Sequence, residues 1–351
     1  MNSYIPKRVQ EISEYVPDTS SPEIKLDANE SPYDVPKGVL KEIEKISLAD
    51  MNRYPDPEMK ELLSAYGEHI GVAPERLVAG DGSDELISLI INTFLCDGGK
   101  LLICAPDFSM YKFYAEFSGA ETVVYEKKDG MWVDFDDLKA MVERENVRLV
   151  MFSNPCNPTG AICKKNDVLR FVDGVNALCV VDEAYMEFAP ESESVIAEAE
   201  KRENLIVLKT VSKIGLAGLR CGFATANKEL ISALKKTKSP YNLNTVTQSA
   251  VATAIRNYSG FTENTEKIKA EVVRMYDALL PLSEKLGFKM DKSSANFVYL
   301  RFTSPENAKT AWQGLRDGGI SVRLMKNALR ITAGKPSETD ALINAFKTMK
   351  I

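Results

Sequence analysis

Between residues 77 and 226, short apolar runs alternate with amphipathic stretches of helical length. The runs fall at residues 77–79, 101–104, 122–125, 149–152, 178–181, 205–208 and 222–226. Each contains few polar residues, so a strand there would be covered on both faces. The spacers are long enough for crossover helices. This pattern predicts a mostly parallel sheet packed between helices.

The flanks read differently. Residues 1–35 look irregular apart from a short helical start and a short strand at 26–33 that runs into a Pro/Asn turn. Residues 35–46 have helical spacing, with Pro36 near the start. Residues 52–57, N-R-Y-P-D-P, hold too much proline for a helix or a central strand and form a loop. Residues 59–70 are helical again. After residue 244, helices are expected at 247–255 and 261–286. Strands follow at 287–290 and 296–302, then a helix at 306–316 and strands at 321–324 and 328–332. The chain thus divides into a large α/β domain, residues 36–258, and a smaller α+β domain, residues 1–35 together with 259–351.

Composition narrows the classes. The 351 residues are 44% hydrophobic and 27% charged, enough apolar mass for one large or two medium cores. A net charge of −6 argues against nucleic-acid binding. No apolar run approaches the roughly 20 residues that span a bilayer, and the first residues lack the apolar segment of a secretory signal. Six cysteines form no C-x-x-C pair and several sit in apolar runs, so they read as reduced thiols of a cytoplasmic protein. His69 is the only histidine, which excludes a multi-histidine metal site. It stands at the end of a helical pattern closed by Gly71, and any proton transfer falls to another residue.

In a parallel sheet, ligands bind beyond the carboxyl ends of the strands. Four polar clusters follow predicted strands: G-D-G-S-D-E at 80–85, S-N-P-C-N-P-T-G at 153–160, D-E-A-Y at 182–185, and Ser212 with Lys213. Glycines before a helix near Ser83, with Gly82 and Asp84, suit a phosphate, although Ser83 could equally be a helix N-cap. Asp182 follows an apolar strand, where an unpaired carboxylate is costly, so a cationic partner is expected. Tyr185 supplies a phenol, Asn157 an amide between prolines, Lys213 an amine and Arg220 a guanidinium. An amine, a carboxylate, a phenol, an amide and a phosphate cradle are what pyridoxal 5'-phosphate (PLP) requires, with no metal.

The motifs L-D-A-N-E-S-P-Y, R-Y-P-D-P, G-D-G-S-D-E, A-P-D-F-S-M-Y, N-P-C-N-P-T-G, V-D-E-A-Y, T-V-S-K, G-L-A-G-L-R-C-G and L-R-I-T-A-G occur in this order along nearly the whole chain. Together they resemble the PLP-dependent fold type I aminotransferases, in particular the histidinol-phosphate aminotransferase branch of class II. The resemblance implies that Lys213 binds the cofactor aldehyde and later shuttles the proton. It implies that Asp182 pairs with the pyridine nitrogen and that Tyr185 and Asn157 bond the ring oxygen. Gly82, Ser83, Asp84, Ser212 and Arg220 would hold the phosphate, and Phe108 would stack on the ring. Tyr54 would reach the phosphate in a second subunit, making a homodimer the active unit. Arg330, with Arg323, would grip the acidic end of the substrate, Asn157 would also face it, and Tyr15 is a further substrate contact.

Three departures from the family pattern stand out. The stretch from Lys213 to Arg220 is one residue shorter than usual, Asp34 replaces a glycine, and Cys156 replaces an asparagine. The implied reaction moves nitrogen from histidinol phosphate to 2-oxoglutarate in histidine synthesis. Threonine-phosphate decarboxylase and aromatic amino-acid aminotransferase remain open alternatives. A non-catalytic regulator on this fold would be expected to lose Lys213 or Asp182, and this chain has both.

Overall fold

A computed structural model of the protein describes residues 4–12, 22–46 and 52–350. Seven strands build the larger sheet: β2 (Leu77–Asp81), β3 (Lys100–Ala105), β4 (Glu121–Glu126), β5 (Leu149–Ser153), β6 (Leu178–Asp182), β7 (Leu205–Thr210) and β8 (Cys221–Thr225). Their order across the sheet is β2-β8-β7-β6-β5-β3-β4. β8 alone runs against its neighbours, pairing antiparallel with both β2 and β7. A second sheet of five strands has the order β1-β11-β12-β10-β9, with β1 (Ile24–Leu26), β9 (Phe288–Met290), β10 (Phe297–Phe302), β11 (Ile320–Leu324) and β12 (Ala328–Thr332). β1 pairs in parallel with β11, so the start of the chain joins the sheet made by its end.

Five of the seven apolar runs form interior strands, where successive side chains enter two different cores, while β2 and β4 are the edges. In β5, Leu149 and Met151 pack with Leu86, Ile90 and Tyr111 on one face. Val150 and Phe152 pack with Leu138, Val168 and Phe171 on the other. A third core lies beside β2 and β8, where Tyr66 stacks on Phe223 with ring centroids 3.7 Å apart. The smaller sheet buries Phe297, Leu300 and Leu329 against the helices Ser259–Leu279, Pro305–Asp317 and Pro336–Thr348. Tyr185 and Phe188 of the larger unit enter this same core.

Two expectations need correction. The expected helix at 261–286 is broken: it ends at Leu279, a 3-10 turn spans Leu280–Leu282, and a short helix, Ser283–Leu286, follows. Pro281 explains the break, since its ring removes an N–H and clashes with the preceding turn. Nor is Ser83 an N-cap. The helix Gly82–Phe94 starts one residue earlier, with Asp81 as cap residue, and the Glu85 carboxylate folds back to accept from the Asp81 backbone N–H. Among the described residues, no helix is long and apolar enough to cross a membrane.

Phe297 is fully buried and meets Tyr185 edge-on, ring centroids 5.3 Å apart at 86°. Phe297→Ala is expected to cost about 3–5 kcal/mol of unfolding free energy. Chemical denaturation checks this.

Candidate active site

The carboxyl ends of β2, β3, β5, β6 and β7 open on one cavity, lined by Ser83, Asp84, Phe108, Ser153, Asn157, Asp182, Ala184, Tyr185, Thr210, Ser212, Lys213 and Arg220. Because β8 is reversed, its first residues lie at that same edge, which brings Arg220 there. The short loop therefore still delivers Arg220. A 3-10 turn, Ser212–Ile214, leads to Gly215 at φ +116°, a second turn spans Ala217–Leu219, and Arg220 itself takes the left-handed conformation at φ 48°. That backbone is unfavourable for a residue with a Cβ and points to a site that needs it.

The anion end is built by close approach. Gly82 sits at φ +75°, and its N–H donates to the Arg220 carbonyl at 3.1 Å. A Cβ on Gly82 would lie 2.6 Å from Arg220 Nη2, and one on Gly222 would lie 2.6 Å from the Ser83 nitrogen. Only glycines let the helix start, the guanidinium and β8 meet this closely. The first N–H groups of the helix Gly82–Phe94 have no partner within the helix, and its dipole favours negative charge there. The Thr210 hydroxyl has two acceptors in reach, Ser212 Oγ at 2.9 Å and the Cys221 carbonyl at 3.1 Å, and it accepts from the Ser212 N–H, which fixes Ser212 at the cavity. Arg220 Nη2 lies 3.4 Å from Asp84 Oδ2, while Asp84 Oδ1 is buried without a hydrogen bond.

Asp182 ends β6 and is 3% exposed. Its Oδ2 accepts from the Tyr111 hydroxyl at 2.8 Å and its Oδ1 from the Ala184 N–H at 3.0 Å. The expected cationic partner is not among the described residues bonded to it. Burial pushes its pKa up to about 6, against the opposing effect of the Tyr111 and Ala184 bonds, and the charges of Asp107 and Asp84 add to the rise. Lys213 Nζ lies 5.8 Å from the centre of the Tyr185 ring. The donor set fits PLP: a buried carboxylate without a cation suits a protonated ring nitrogen, a lysine stands beside it, and the glycine-built cradle suits the phosphate.

Tyr185 Oη accepts from Asn29 Nδ2 at 2.9 Å, and Asn29 is tied in turn to Thr332 Oγ1. Asn157 Oδ1 accepts from Arg330 Nη1 at 2.7 Å, so the amide nitrogen of Asn157 is the group left to donate. Arg330 Nη2 also donates to the Asp27 carbonyl at 2.8 Å. Arg323 stands directly opposite Arg330 across the β11–β12 ladder. Phe108 meets Tyr111 edge-on at 5.6 Å. Tyr54 is 80% exposed, stacks on Tyr241 at 4.4 Å and is not among the residues that line the cavity. Tyr15 lies outside the described residues.

Sequence reasoning singled out neither Tyr111 nor Asn29. Tyr111 could have been found, since it follows Phe108 by three residues where a helix begins, a spacing that puts both on one side. Asn29 had no local signal, because its partners are about 150 and 300 residues away.

A carboxyl group with a raised folded-state pKa binds its proton more tightly when folded. Its contribution to stability is therefore complete below about pH 4 and is lost as pH rises through about 6. The stability of the cofactor-free protein, compared with that of Asp182→Asn, is expected to fall by about 3 kcal/mol over that interval. Denaturation of both proteins between pH 4 and 8 measures it.

The sequence model of the family described as aminotransferase class I and II matches residues 21–346. A histidinol-phosphate aminotransferase of Clostridium novyi is 36% identical over 331 residues, covering 92% of this chain and 91% of the relative. Histidinol-phosphate aminotransferase 1 of Carboxydothermus hydrogenoformans is 38% identical over 346 residues, covering 97% of each. Among solved structures, the histidinol-phosphate aminotransferase of Sinorhizobium meliloti in complex with pyridoxal-5'-phosphate superposes with a TM-score of 0.90 at 24% identity, covering 99% of this chain and 98% of that one. This chain belongs to the class I and II aminotransferases.

Proposed function

We propose that the protein is a PLP-dependent aminotransferase that moves nitrogen reversibly between histidinol phosphate and 2-oxoglutarate, in histidine biosynthesis. One observation carries the chemistry: a buried carboxylate bonded to no cation, Asp182, faces the same cavity as Lys213 and the cradle of Ser83, Ser212 and Arg220. The substrate assignment draws on the names of the curated relatives that match over most of the chain.

In this reading the backbone N–H groups of Ser83 and Asp84, the Ser212 hydroxyl and the Arg220 guanidinium bind the phosphate, in the cradle that Gly82 opens. Asp182 stays ionised against the ring nitrogen, the site's compensation for burying it. Tyr185 and Asn157 bond the ring oxygen, and Phe108 covers the ring face. Bound PLP supplies an electron sink that eases proton removal from the substrate Cα. Lys213 Nζ would hold the cofactor, and the same amine would take up and return the proton of the substrate Cα. Arg330 and Arg323 bind the anionic end of each substrate in turn. The bond from Arg330 Nη1 to Asn157 Oδ1 supports this, because it ties Arg330 to a residue that lines the cavity.

The reading includes a cytoplasmic homodimer in which Tyr54 of each copy reaches the phosphate in the other. The exposed Tyr54–Tyr241 stack supports that arrangement, since it leaves a phenol outside its own cavity. It also treats residues 36–258 as one unit and residues 1–35 with 259–351 as the other, supported by the pairing of β1 with β11.

Incubating the purified protein with histidinol phosphate and 2-oxoglutarate should yield glutamate, with threonine phosphate and phenylalanine turned over poorly. Carbon dioxide release from threonine phosphate in place of amino transfer refutes the assignment. Lys213→Ala is expected to lower activity by about 10²- to 10⁴-fold or more and to abolish the visible absorption band of the bound cofactor. Retention of that band by the variant counts against Lys213 as the cofactor lysine. Arg330→Ala should raise KM for both substrates by about 10- to 100-fold, the worth of a lost hydrogen bond to a charged group.

A further inference from the structure

Lys127 and Asp107 form a buried ion pair beneath the site, with side-chain exposures of 1% and 2% and Nζ 3.1 Å from Oδ2. The three N–H bonds of the Lys127 ammonium have three acceptors: Asp107 Oδ2, the Pro106 carbonyl at 2.8 Å and Cys156 Sγ at 3.0 Å. Burial alone disfavours this ammonium, but the charge of Asp107, followed by Cys156 and Cys104, outweighs it and raises the Lys127 pKa. Buried pairs of this kind contribute little net stability, because desolvation of two charges offsets their attraction. What the pair holds is therefore more informative than what it contributes.

Asp107 grips two site residues. Its Oδ1 accepts from the Phe108 N–H at 2.8 Å. Its carboxylate also accepts from the Ser153 N–H, both oxygens at 3.3 Å, and from the Ser153 hydroxyl. With that hydrogen committed to Asp107, Ser153 Oγ turns a lone pair to the Asn157 N–H and accepts from it at 3.0 Å. Asn157 then meets Arg330. A chain of hydrogen bonds thus runs from a buried ammonium, through a carboxylate and a hydroxyl, to the backbone N–H of Asn157, whose side chain lines the cavity.

We propose that Lys127 and Asp107 are positioning residues for Asn157, and through it for Arg330, acting by way of Ser153 and without touching cofactor or substrate. Lys127 holds the Asp107 carboxylate turned to Ser153, which fixes the Asn157 backbone and so aims its side-chain amide. The proposal rests on the reading of Asn157 as a donor to the ring oxygen of PLP.

The test uses the holoenzyme and reads cofactor Kd, the pH midpoint of the visible absorption of the bound cofactor, and kcat against KM. Lys127→Met is expected to weaken cofactor binding and kcat/KM by about 10- to 100-fold, the usual effect of a supporting group that shifts a site by a fraction of an ångström to an ångström. The midpoint should move up, because a ring oxygen that loses its donor holds a proton more tightly. Ser153→Ala breaks the same chain without burying an unpaired charge and should move the midpoint the same way. If Lys127→Met does not fold, the double variant Lys127→Met/Asp107→Asn removes both charges. It should fold and still show the weaker Kd and the raised midpoint. Folded variants with a lowered Tm but wild-type Kd and midpoint overturn the proposal, as does a wild-type midpoint in Ser153→Ala. Lack of turnover of histidinol phosphate would refute the substrate assignment and leave these cofactor readouts standing. A wild-type protein that shows no visible band at all refutes the cofactor reading itself.

Discussion

A carboxylate at the end of β6, buried at the floor of the cavity and bonded among the described residues to two neutral donors, is the constraint around which this molecule is arranged. A group of that kind is costly unless something positive meets it, and its pKa is already pushed up to about 6. The hydroxyl of Tyr111 and the N–H of Ala184 soften the cost without removing it. Every other feature of the cavity is arranged around that charge. Lysine, phenol and amide stand at the ends of the neighbouring strands, and the anion cradle closes the far side.

The single reversed strand has a clear physical purpose. In a wholly parallel sheet, each strand offers only its carboxyl end to the site. Turning β8 around brings the residue before it, Arg220, to that edge, directly beside the start of the helix Gly82–Phe94. The left-handed backbone of Arg220 and the bare Cα atoms of Gly82 and Gly222 are what this contact requires. The second sheet completes the site from the other side. β12 carries Arg330, and the turn after β1 carries Asn29, which bonds Tyr185.

Much of this was legible in the chain. The seven apolar runs became the seven strands of the larger sheet, because a strand covered on both faces must be apolar on both. The polar clusters that follow them line the cavity, since they sit where parallel strands end. The misreadings have local causes. The apolar spacing of residues 261–286 suggested one helix, but Pro281 overrides that periodicity. The alternative of Ser83 as an N-cap fails because the helix Gly82–Phe94 begins before it, with Asp81 as cap residue, and Ser83 lines the cavity. Among the described residues, the donors that meet Asp182 are neutral, the Tyr111 hydroxyl and the Ala184 N–H.

By itself the sequence determined the alternation of strand and helix, the strand ends where chemistry gathers, and the residue types available there. These follow from local rules: side-chain period, backbone freedom at glycine and the missing N–H of proline. Only the tertiary structure decided which distant groups meet. Asn29 and Tyr185, Asn157 and Arg330, and Lys127 and Asp107 are separated by 156, 173 and 20 residues. Hydrogen bonds and buried charges act over about 3 Å in space, and no periodicity along the chain encodes such encounters.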